Sequence, residues 1–383
     1  MFLKLNFEPD HYQTVDGDYY QLLAQKLKNA EPFVIEGLEN KAKKAFSPYP
    51  PGFPVLLMAG NELENIIQIP SILCLHTVLL VCLGLAWIWL GLPLAAFVWV
   101  CFTDTFIELG SYKWSEFSFI IGNLFLALWI SRKETKREFN QAILLSIFLF
   151  GLFLIRYAEM FAMIFLAYKI WVSRGDKEAF GFWLKTICLS LLWYGFWFFG
   201  EYLMYGQATG GDRYANPDSN SELIANFSLG IVNQLLVFKD FEGSSFFSFI
   251  SGLVSLGLML LWLYFGRLPK LGISSDETLF ERKAVFNLSL LALSYFCFMV
   301  PVRWHFYFAE GFDLRLLGPG FGFLLASVSL YVFTRFGLRK KYAFLLIWVL
   351  LSFFFNIPKR EIFLSLQEKI WNHTGPVFNQ SSP

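Results

Sequence analysis

Two aspartates near the start of the chain are the first residues whose spacing could do chemistry. Asp16 and Asp18 flank a glycine in the segment VDGDYY. An Asp-x-Asp pair offers carboxylate oxygens that can hold a divalent cation. Aspartate is also favoured as the cap of a helix, and the amphipathic stretch QLLAQKL that follows predicts a short helix. The sequence alone leaves both interpretations open, a cation site or a helix cap.

Further charged residues interrupt apolar stretches or lie at their edges. They are Asp104, Glu108, Glu116, Arg156, Glu159, Arg303 and Arg315. Charges within membrane segments are energetically costly and mark functional sites by default. Near the end of a span, however, a long charged side chain reaches the interface at little cost. Arg156 and Glu159 are also spaced so that they could pair with each other on one helical turn.

The elements that must position these residues are apolar helices. Of the 383 residues, 56% are hydrophobic, 16% are charged and 46 are Phe, and the mean hydropathy is +0.50. A soluble core cannot absorb so much Phe without exposing large apolar patches. The composition predicts an all-α integral membrane protein and disfavours a soluble enzyme. A net charge of +1 gives no field that would attract nucleic acid.

About ten apolar stretches approach the ~20 residues needed to cross a bilayer core. They are residues 67–90, 92–109, 114–131, 140–155, 157–173, 181–204, 245–266, 284–302, 316–336 and 342–357. Basic clusters at 132–137, 174–177, 267–283 and 339–341 fall on one side of this ten-span arrangement. The positive-inside rule makes that side cytoplasmic.

The ten-span arrangement divides the chain into three parts. Residues 1–65 form an external loop module with short helices, residues 66–357 form the transmembrane domain, and residues 358–383 form a short external tail. The first 65 residues lack the basic and apolar regions of a signal peptide. We therefore expect either that span 67–90 inserts with its N-terminus outside, or that an upstream span is missing from this chain.

Cysteine and histidine give no sign of a zinc or disulfide framework. The five cysteines lie in apolar runs without CxxC spacing, and the four histidines form no HExxH pattern. We expect the thiols to act as small buried apolar groups.

The first module carries a resemblance to a known class of enzymes. DGDYYQLLAQKL, followed after a gap by SPYPPGFPVLL, resembles the first external loop of the GT-C glycosyltransferases, which include protein mannosyltransferases and lipid A aminoarabinose transferases. In that class the loop carries an acidic residue, a Tyr and an Ala at helical spacing, which Asp16, Tyr19, Tyr20 and Ala24 match. The class re-enters the membrane after a Pro-Pro-Gly-type segment, which residues 50–54 match.

Later segments resemble the same class in the same order, over residues 10–335. Trp114-Ser115-Glu116 is similar to its second acidic position, Ile155-Arg156-Tyr157 to the arginine after the next helix, and DLRLLGP at 313–319 to a late Arg-Tyr-x-x-Pro pattern. Residue 316 is Leu where the class often has Tyr. The class also normally has a span before the first loop, and its larger members carry a soluble C-terminal domain.

The resemblance implies a polyprenyl-phosphate-linked sugar as donor and an acceptor hydroxyl that attacks its anomeric carbon. It assigns the role of general base to Asp16, with Asp18 as second choice, since a carboxylate must take the acceptor proton. Glu116 would orient the acceptor or support the base. A divalent cation held by Asp16 and Asp18 is permitted but not required.

The resemblance also implies cations that bind the leaving phosphate and aromatic side chains that contact the sugar. Arg156, Arg303 and Arg315 are the expected phosphate clamp, because a guanidinium matches phosphate geometry in a bidentate manner. Tyr19 and Tyr20 would stack on the sugar or line the acceptor groove. The acceptor is a glycan, a lipid or a protein, and membrane lipids surround the site. The expected location is a bacterial inner membrane, in the cell envelope.

Three other functions remain open from the sequence. A multi-span transporter or flippase of a lipid-linked or polysaccharide precursor would depend on charges within the spans, and it would be expected to show paired repeats. A polymerase or ligase of surface polysaccharide would depend on the loop at 205–244. An inactive or scaffolding relative of the glycosyltransferases is the third.

Overall fold

The computed structural model describes residues 1, 5, 12–31, 49–67, 69–132, 138–206, 216–235, 276–306, 312–335 and 338–356. Within these ranges the regular structure is helical, without β-strands. The helices are α1 (Val15–Lys28), α2 (Gly52–Ile67), α3 (Ser71–Trp89), α4 (Leu94–Cys101), α5 (Asp104–Ser111), α6 (Ser115–Ser131), α7 (Phe139–Ile155), α8 (Ala162–Val172), α9 (Lys177–Tyr205), α10 (Asn220–Leu235), α11 (Asp276–His305), α12 (Leu314–Arg335) and α13 (Leu338–Asn356). A 3₁₀ turn, Tyr157–Phe161, joins α7 to α8.

Helix α1 begins one residue before the aspartate pair. Its cap is Thr14, whose Oγ1 accepts a hydrogen bond from the amide of Gly17 at 3.1 Å. The interpretation of Asp16 or Asp18 as the cap is therefore wrong. Both carboxylates lie in the first turn, where they complement the positive end of the helix dipole.

A small apolar core attaches α1 to α2 and to the start of α3. Its buried members are Tyr20, Ala24, Phe53, Leu57, Ile72 and Leu75. Helix α2 begins at Gly52, directly after Pro50 and Pro51. Pro54 lies in the first turn of α2, where its missing N–H removes no hydrogen bond. A Cβ at Gly52 would lie 2.6 Å from the carbonyl of Leu154, so this close approach to α7 requires glycine.

Several helices are long and apolar enough to cross a membrane. Within the described residues α3, α9, α11 and α12 meet that condition, and α4 with α5 makes a fifth if this pair, bent by 60°, is one span. Helices α6 and α7 are apolar but shorter. The all-helical, multi-span architecture is confirmed at this level, and the count of ten stays a prediction. The stretch 245–266 and the tail 358–383 lie outside the described residues.

Helix directions alternate, so the bundle has two distinct ends. Asn287, in the first half of α11, donates to Ser131 Oγ at the end of α6 (2.8 Å). About two turns later on α11, Tyr295 donates to the carbonyl of Leu316 in the first turn of α12 (2.8 Å). The starts of α6 and α12, joined by Arg315 and Glu116, thus lie toward the side to which α11 runs, and we call this the site end.

The opposite end, which we call the basic end, carries several of the predicted basic residues. Arg132 follows α6 and stacks over Trp89 (4.2 Å to the ring centroid), and Arg174 follows α8 and stacks over Trp171 (3.8 Å). Lys177 begins α9, and Arg282 and Lys283 lie about two turns into α11. The other basic residues of these clusters lie outside the described side chains.

Helix α6 occupies the centre of the bundle. It packs against α3, α7, α11 and α12, and the side chains that follow Glu116 are almost all buried, among them Phe117, Phe119, Ile120 and Ile121 at 0% exposure. A charged side chain in the first turn of such a helix is held against its neighbours on every side. The fold therefore holds the side chain of Glu116 in a fully buried position.

Candidate functional site

Four charged side chains from distant parts of the chain converge at the site end. Arg315 bridges two carboxylates, with Nη1 paired to Asp16 Oδ2 and Nε donating to Glu116 Oε1 at 3.0 Å. Arg156 Nη1 pairs with the same Oε1 of Glu116. We call Asp16, Glu116, Arg156 and Arg315 the charge network. Its formal charges, two negative and two positive, balance.

Helix termini place each member of this network. Asp16, Glu116 and Arg315 lie in the first turns of α1, α6 and α12, and Arg156 caps the end of α7. The start of α12 is fixed by Asp313, whose Oδ1 accepts from the amides of Arg315 (3.0 Å) and Leu316 (3.2 Å). These bonds fix the backbone at the start of α12, where Arg315 lies.

Burial differs sharply across the charge network. The side chain of Glu116 is fully buried, whereas those of Arg156, Arg315 and Asp16 keep 17%, 14% and 18% of their surface exposed. A buried carboxylate is tolerated only when paired and hydrogen-bonded, and Glu116 has two guanidinium partners. Glu116 is therefore inaccessible to solvent, whereas a ligand can reach the partly exposed side chains of the other three residues.

Tyrosine and serine hydroxyls complete the site. Tyr49 donates to Asp16 Oδ1, while Tyr20 and Arg156 donate to Ser115 Oγ at 3.2 and 3.3 Å. Burial raises the pKa of Tyr49, and the hydrogen bond to Asp16 and the charge of that carboxylate add to the rise. Burial and the charge of Glu116 raise the pKa of Tyr20 as well. Both phenols therefore remain protonated donors at neutral pH.

Trp114 links the cap of α1 to the arginine of α12. The guanidinium of Arg315 lies 4.8 Å from the centroid of its ring, in a cation–π arrangement. Its indole N–H donates to Thr14 Oγ1 at 2.9 Å, and Tyr112 stacks on its other side with centroids 3.8 Å apart. The position of Arg315 is thus fixed by an aromatic face as well as by two carboxylates.

The structure brings together most of the residues singled out from the sequence. Asp16, Glu116, Arg156 and Arg315 form the network itself, and Tyr20 is connected to it through Ser115. Tyr19 lies at its edge, where its ring is 6.2 Å from that of Tyr49.

Two predicted site residues have different surroundings. Asp18 is exposed, on the other side of the first turn of α1 from the buried Tyr20 face. Arg303, at the end of α11, forms an ion pair with Asp218 at 3.2 Å. Their described contacts do not connect them to the charge network.

The suggested pairing of Arg156 with Glu159 is wrong. Arg156 pairs with Glu116, and Glu159 is buried and accepts a hydrogen bond from Asn123 Nδ2 at 2.8 Å. The reason is local: α7 ends at Ile155 and a 3₁₀ turn follows, so the two side chains do not share the face of one α-helix.

Sequence analysis missed the contribution of Tyr49 and Ser115. Tyr49 was part of a proline-rich linker, and its hydrogen bond to Asp16 depends on how α1 packs against α2. Ser115 immediately precedes Glu116, so its place beside the acidic position was the available signal.

A cation site at the aspartate pair has limited support from the geometry. Among the described side chains no group of three or more His, Cys, Asp or Glu residues could hold a metal ion. Both oxygens of Asp16 already have partners, Tyr49 and Arg315, and Asp18 is exposed. The divalent cation stays a prediction.

Comparison with known proteins gives no further assignment. No family model matches the sequence, and neither a curated protein nor a solved structure matches it significantly. The evidence on function is therefore the arrangement of the charge network and the residues around it.

Proposed function

We propose that this protein is a membrane glycosyltransferase that moves a sugar from a polyprenyl-phosphate donor to an acceptor hydroxyl, with Asp16 as general base. The observation that carries the proposal is the charge network. Asp16, Glu116, Arg156 and Arg315 were selected in four separate segments by their resemblance to GT-C positions, and they meet in one cluster. A base and two phosphate-binding cations are what this transfer requires.

The chemistry assigns one role to each part of the network. The acceptor oxygen attacks the anomeric carbon while the bond from that carbon to the phosphate oxygen breaks. The hydroxyl proton passes to a carboxylate oxygen of Asp16, and the leaving phosphate takes the bonding electrons. Arg156 and Arg315, both partly exposed, stabilise the charge that develops on that phosphate.

Donor binding also frees the base. In the structure Arg315 pairs with Oδ2 of Asp16 and Tyr49 donates to its Oδ1, so both carboxylate oxygens already have partners. An incoming phosphate competes for the guanidinium of Arg315 and releases Asp16 to accept a proton. Glu116 is buried and paired to both arginines, so it keeps them aligned while Asp16 is exchanged for phosphate.

The distribution of basic residues supports a topology in which the site end is external. Arg132, Arg174 and Lys177 lie at the opposite end, and two of them stack on interfacial tryptophans, as the positive-inside rule and the aromatic belt favour. The proposed ten-span arrangement in a bacterial inner membrane has the same sidedness. The acceptor glycan, lipid or protein would then meet the donor at the external interface.

One observation favours the alternative of a transporter or flippase. Glu159 is fully buried within the bundle, bonded to Asn123, with Tyr194 as an electrostatic neighbour. Buried acids within membrane proteins often belong to ion or proton pathways. A transporter should depend on Glu159 and tolerate the loss of the Asp16 carboxylate, whereas a transferase should depend on Asp16.

The experiment that tests the proposal is a mass-spectrometric profile of glycans and lipid-linked sugars in cells. It compares wild type, a gene deletion, Asp16→Asn and the matched control Asp18→Asn, which changes an exposed neighbour on the same turn. We expect Asp16→Asn to lose the same sugar as the deletion while Asp18→Asn retains it. A normal profile in Asp16→Asn beside a defective deletion would overturn the assignment.

A further inference from the structure

A second polar cluster lies at the basic end, between α6, α8 and α11. Lys169 in the last turn of α8 donates to Asn287 Oδ1, and the amide of Asn287 donates in turn to Ser131 Oγ at 2.8 Å. Three helices thus hold the ammonium group of Lys169 in one place. The sugar-transfer chemistry uses none of these residues.

The cluster carries positive charge that its own residues do not balance. Lys283 lies one turn before Asn287 on α11 and is close enough to repel the charge of Lys169. The other neighbours of Lys169 are the rings of Phe165 (5.2 Å) and Phe286 (5.5 Å). Neither lysine forms an ion pair within the part of the chain that the structure describes.

The surface beside this cluster is apolar and has the features of a membrane interface. Ile164, Trp171 and Val172 on α8 are 39%, 61% and 54% exposed. Arg174 stacks on Trp171 just beyond the helix end. Tryptophan and arginine at such a position mark the level of the lipid headgroups, and Lys169 lies about half a turn deeper on the same helix.

We propose that Lys169 and Lys283 form a binding site for a phosphate group at the basic end of the protein. An anion there offsets the repulsion between the two lysines, one of which, Lys169, is held in position by Asn287 and Ser131. Basic pockets between transmembrane helices on this side of a membrane bind anionic headgroups. The exposed apolar flank of α8 makes a phospholipid headgroup the favoured source, and free phosphate shares the same chemistry.

Native mass spectrometry of the full-length protein tests the site. The detergent-purified protein is mixed with phosphatidylglycerol or with zwitterionic phosphatidylcholine, and the lipid retained is measured for wild type, Lys283→Gln, Lys169→Gln and the control Lys177→Gln. Lys177 is exposed at the same end of the bundle. Loss of one lysine should weaken phosphatidylglycerol retention about fivefold, with phosphatidylcholine and the control unchanged.

A second arm separates the two sources of phosphate. Inorganic phosphate is titrated while the thermal unfolding of each variant is followed. A shift in wild type that Lys283→Gln lacks, without retention of phosphatidylglycerol, would support the site and assign it to free phosphate. Equal retention in all variants together with equal phosphate shifts would overturn it, as would an equal loss in Lys177→Gln. Lys283 is only partly buried, so its substitution tests charge without opening the core.

Discussion

Asp16 and Arg315 form an ion pair across 299 positions of the chain. The pair joins the first turn of α1 to the first turn of α12, and Arg315 at the same time holds the buried Glu116. The N-terminal segment is therefore tied to the last part of the central bundle by a charge as well as by apolar packing. Any function of Asp16 depends on α12 being in place.

The first prediction concerns Asp16 as the base. Replacing it with Asn preserves the shape of the side chain and removes the proton acceptor, so transfer should fall about 10²- to 10⁴-fold. The rate is measured with purified protein and a lipid-linked sugar donor. Asp18→Asn should stay within a few-fold of wild type. Equal losses in the two variants would mean that the carboxylates act only on the helix.

The second prediction concerns stability. Glu116→Gln leaves Arg156 and Arg315 without their shared carboxylate, and breaking a buried ion pair from one side costs about 3–5 kcal/mol. The free energy of unfolding in detergent should fall by that order, whereas Glu138→Gln, at an exposed position before α7, should change it little. An unchanged value for Glu116→Gln would contradict the pairing.

The third prediction separates charge from geometry at Arg315. Lysine keeps the charge but cannot present Nε and Nη1 to two carboxylates or to a phosphate. We expect Arg315→Lys to raise the KM for the donor about tenfold, while Arg132→Lys at the basic end has the KM of wild type. A donor KM unaffected by Arg315→Lys would argue against a phosphate clamp at this residue.

The fourth prediction follows from the raised pKa of Tyr49. An unfolded tyrosine has a pKa of about 10, so above that pH the unfolded chain releases a proton that folded Tyr49 retains. The stabilisation is therefore complete below pH about 10 and is lost as the pH rises further. Tyr49→Phe should flatten the decline of unfolding free energy between pH about 10 and 11. The same slope in both proteins would show that Tyr49 ionises freely.

The fifth prediction tests the sidedness of the bundle. Single cysteines at the exposed positions Gln13 and Lys177 are placed in a background without the five native cysteines. A membrane-impermeant maleimide should label Gln13→Cys in intact spheroplasts and Lys177→Cys only after permeabilisation. The reverse pattern would put the site end in the cytoplasm.

Local patterns in the sequence predicted the elements better than they predicted the contacts. Hydropathy located helices such as α6 and α7 to within a residue or two, because an apolar run and its polar boundary are encoded in neighbouring residues. The 60° bend between α4 and α5 lay inside a stretch expected to be one span. Asp104 follows the bend and begins α5, so the charge within that stretch was the available sign of a break.

Contacts between distant segments required more than local patterns. Glu116, Arg156 and Arg315 were grouped through resemblance, since nothing in their own neighbourhoods indicates that they meet. Arg303 carried the same type of signal and yet pairs with Asp218. Residue type and membrane depth cannot distinguish Arg303 from Arg315, because the difference lies in which segment packs against each helix end.

The sharing of Glu116 by two arginines also has a consequence for biogenesis. Arg315 follows Glu116 by 199 positions, and at about 5–20 residues per second the ribosome reaches it roughly 10–40 s later. During that interval Arg156 is the one of its two arginine partners that Glu116 can already meet. The nascent bundle is thus held incomplete until α12 is inserted, and chains truncated before that helix should be recognised by membrane quality-control proteases.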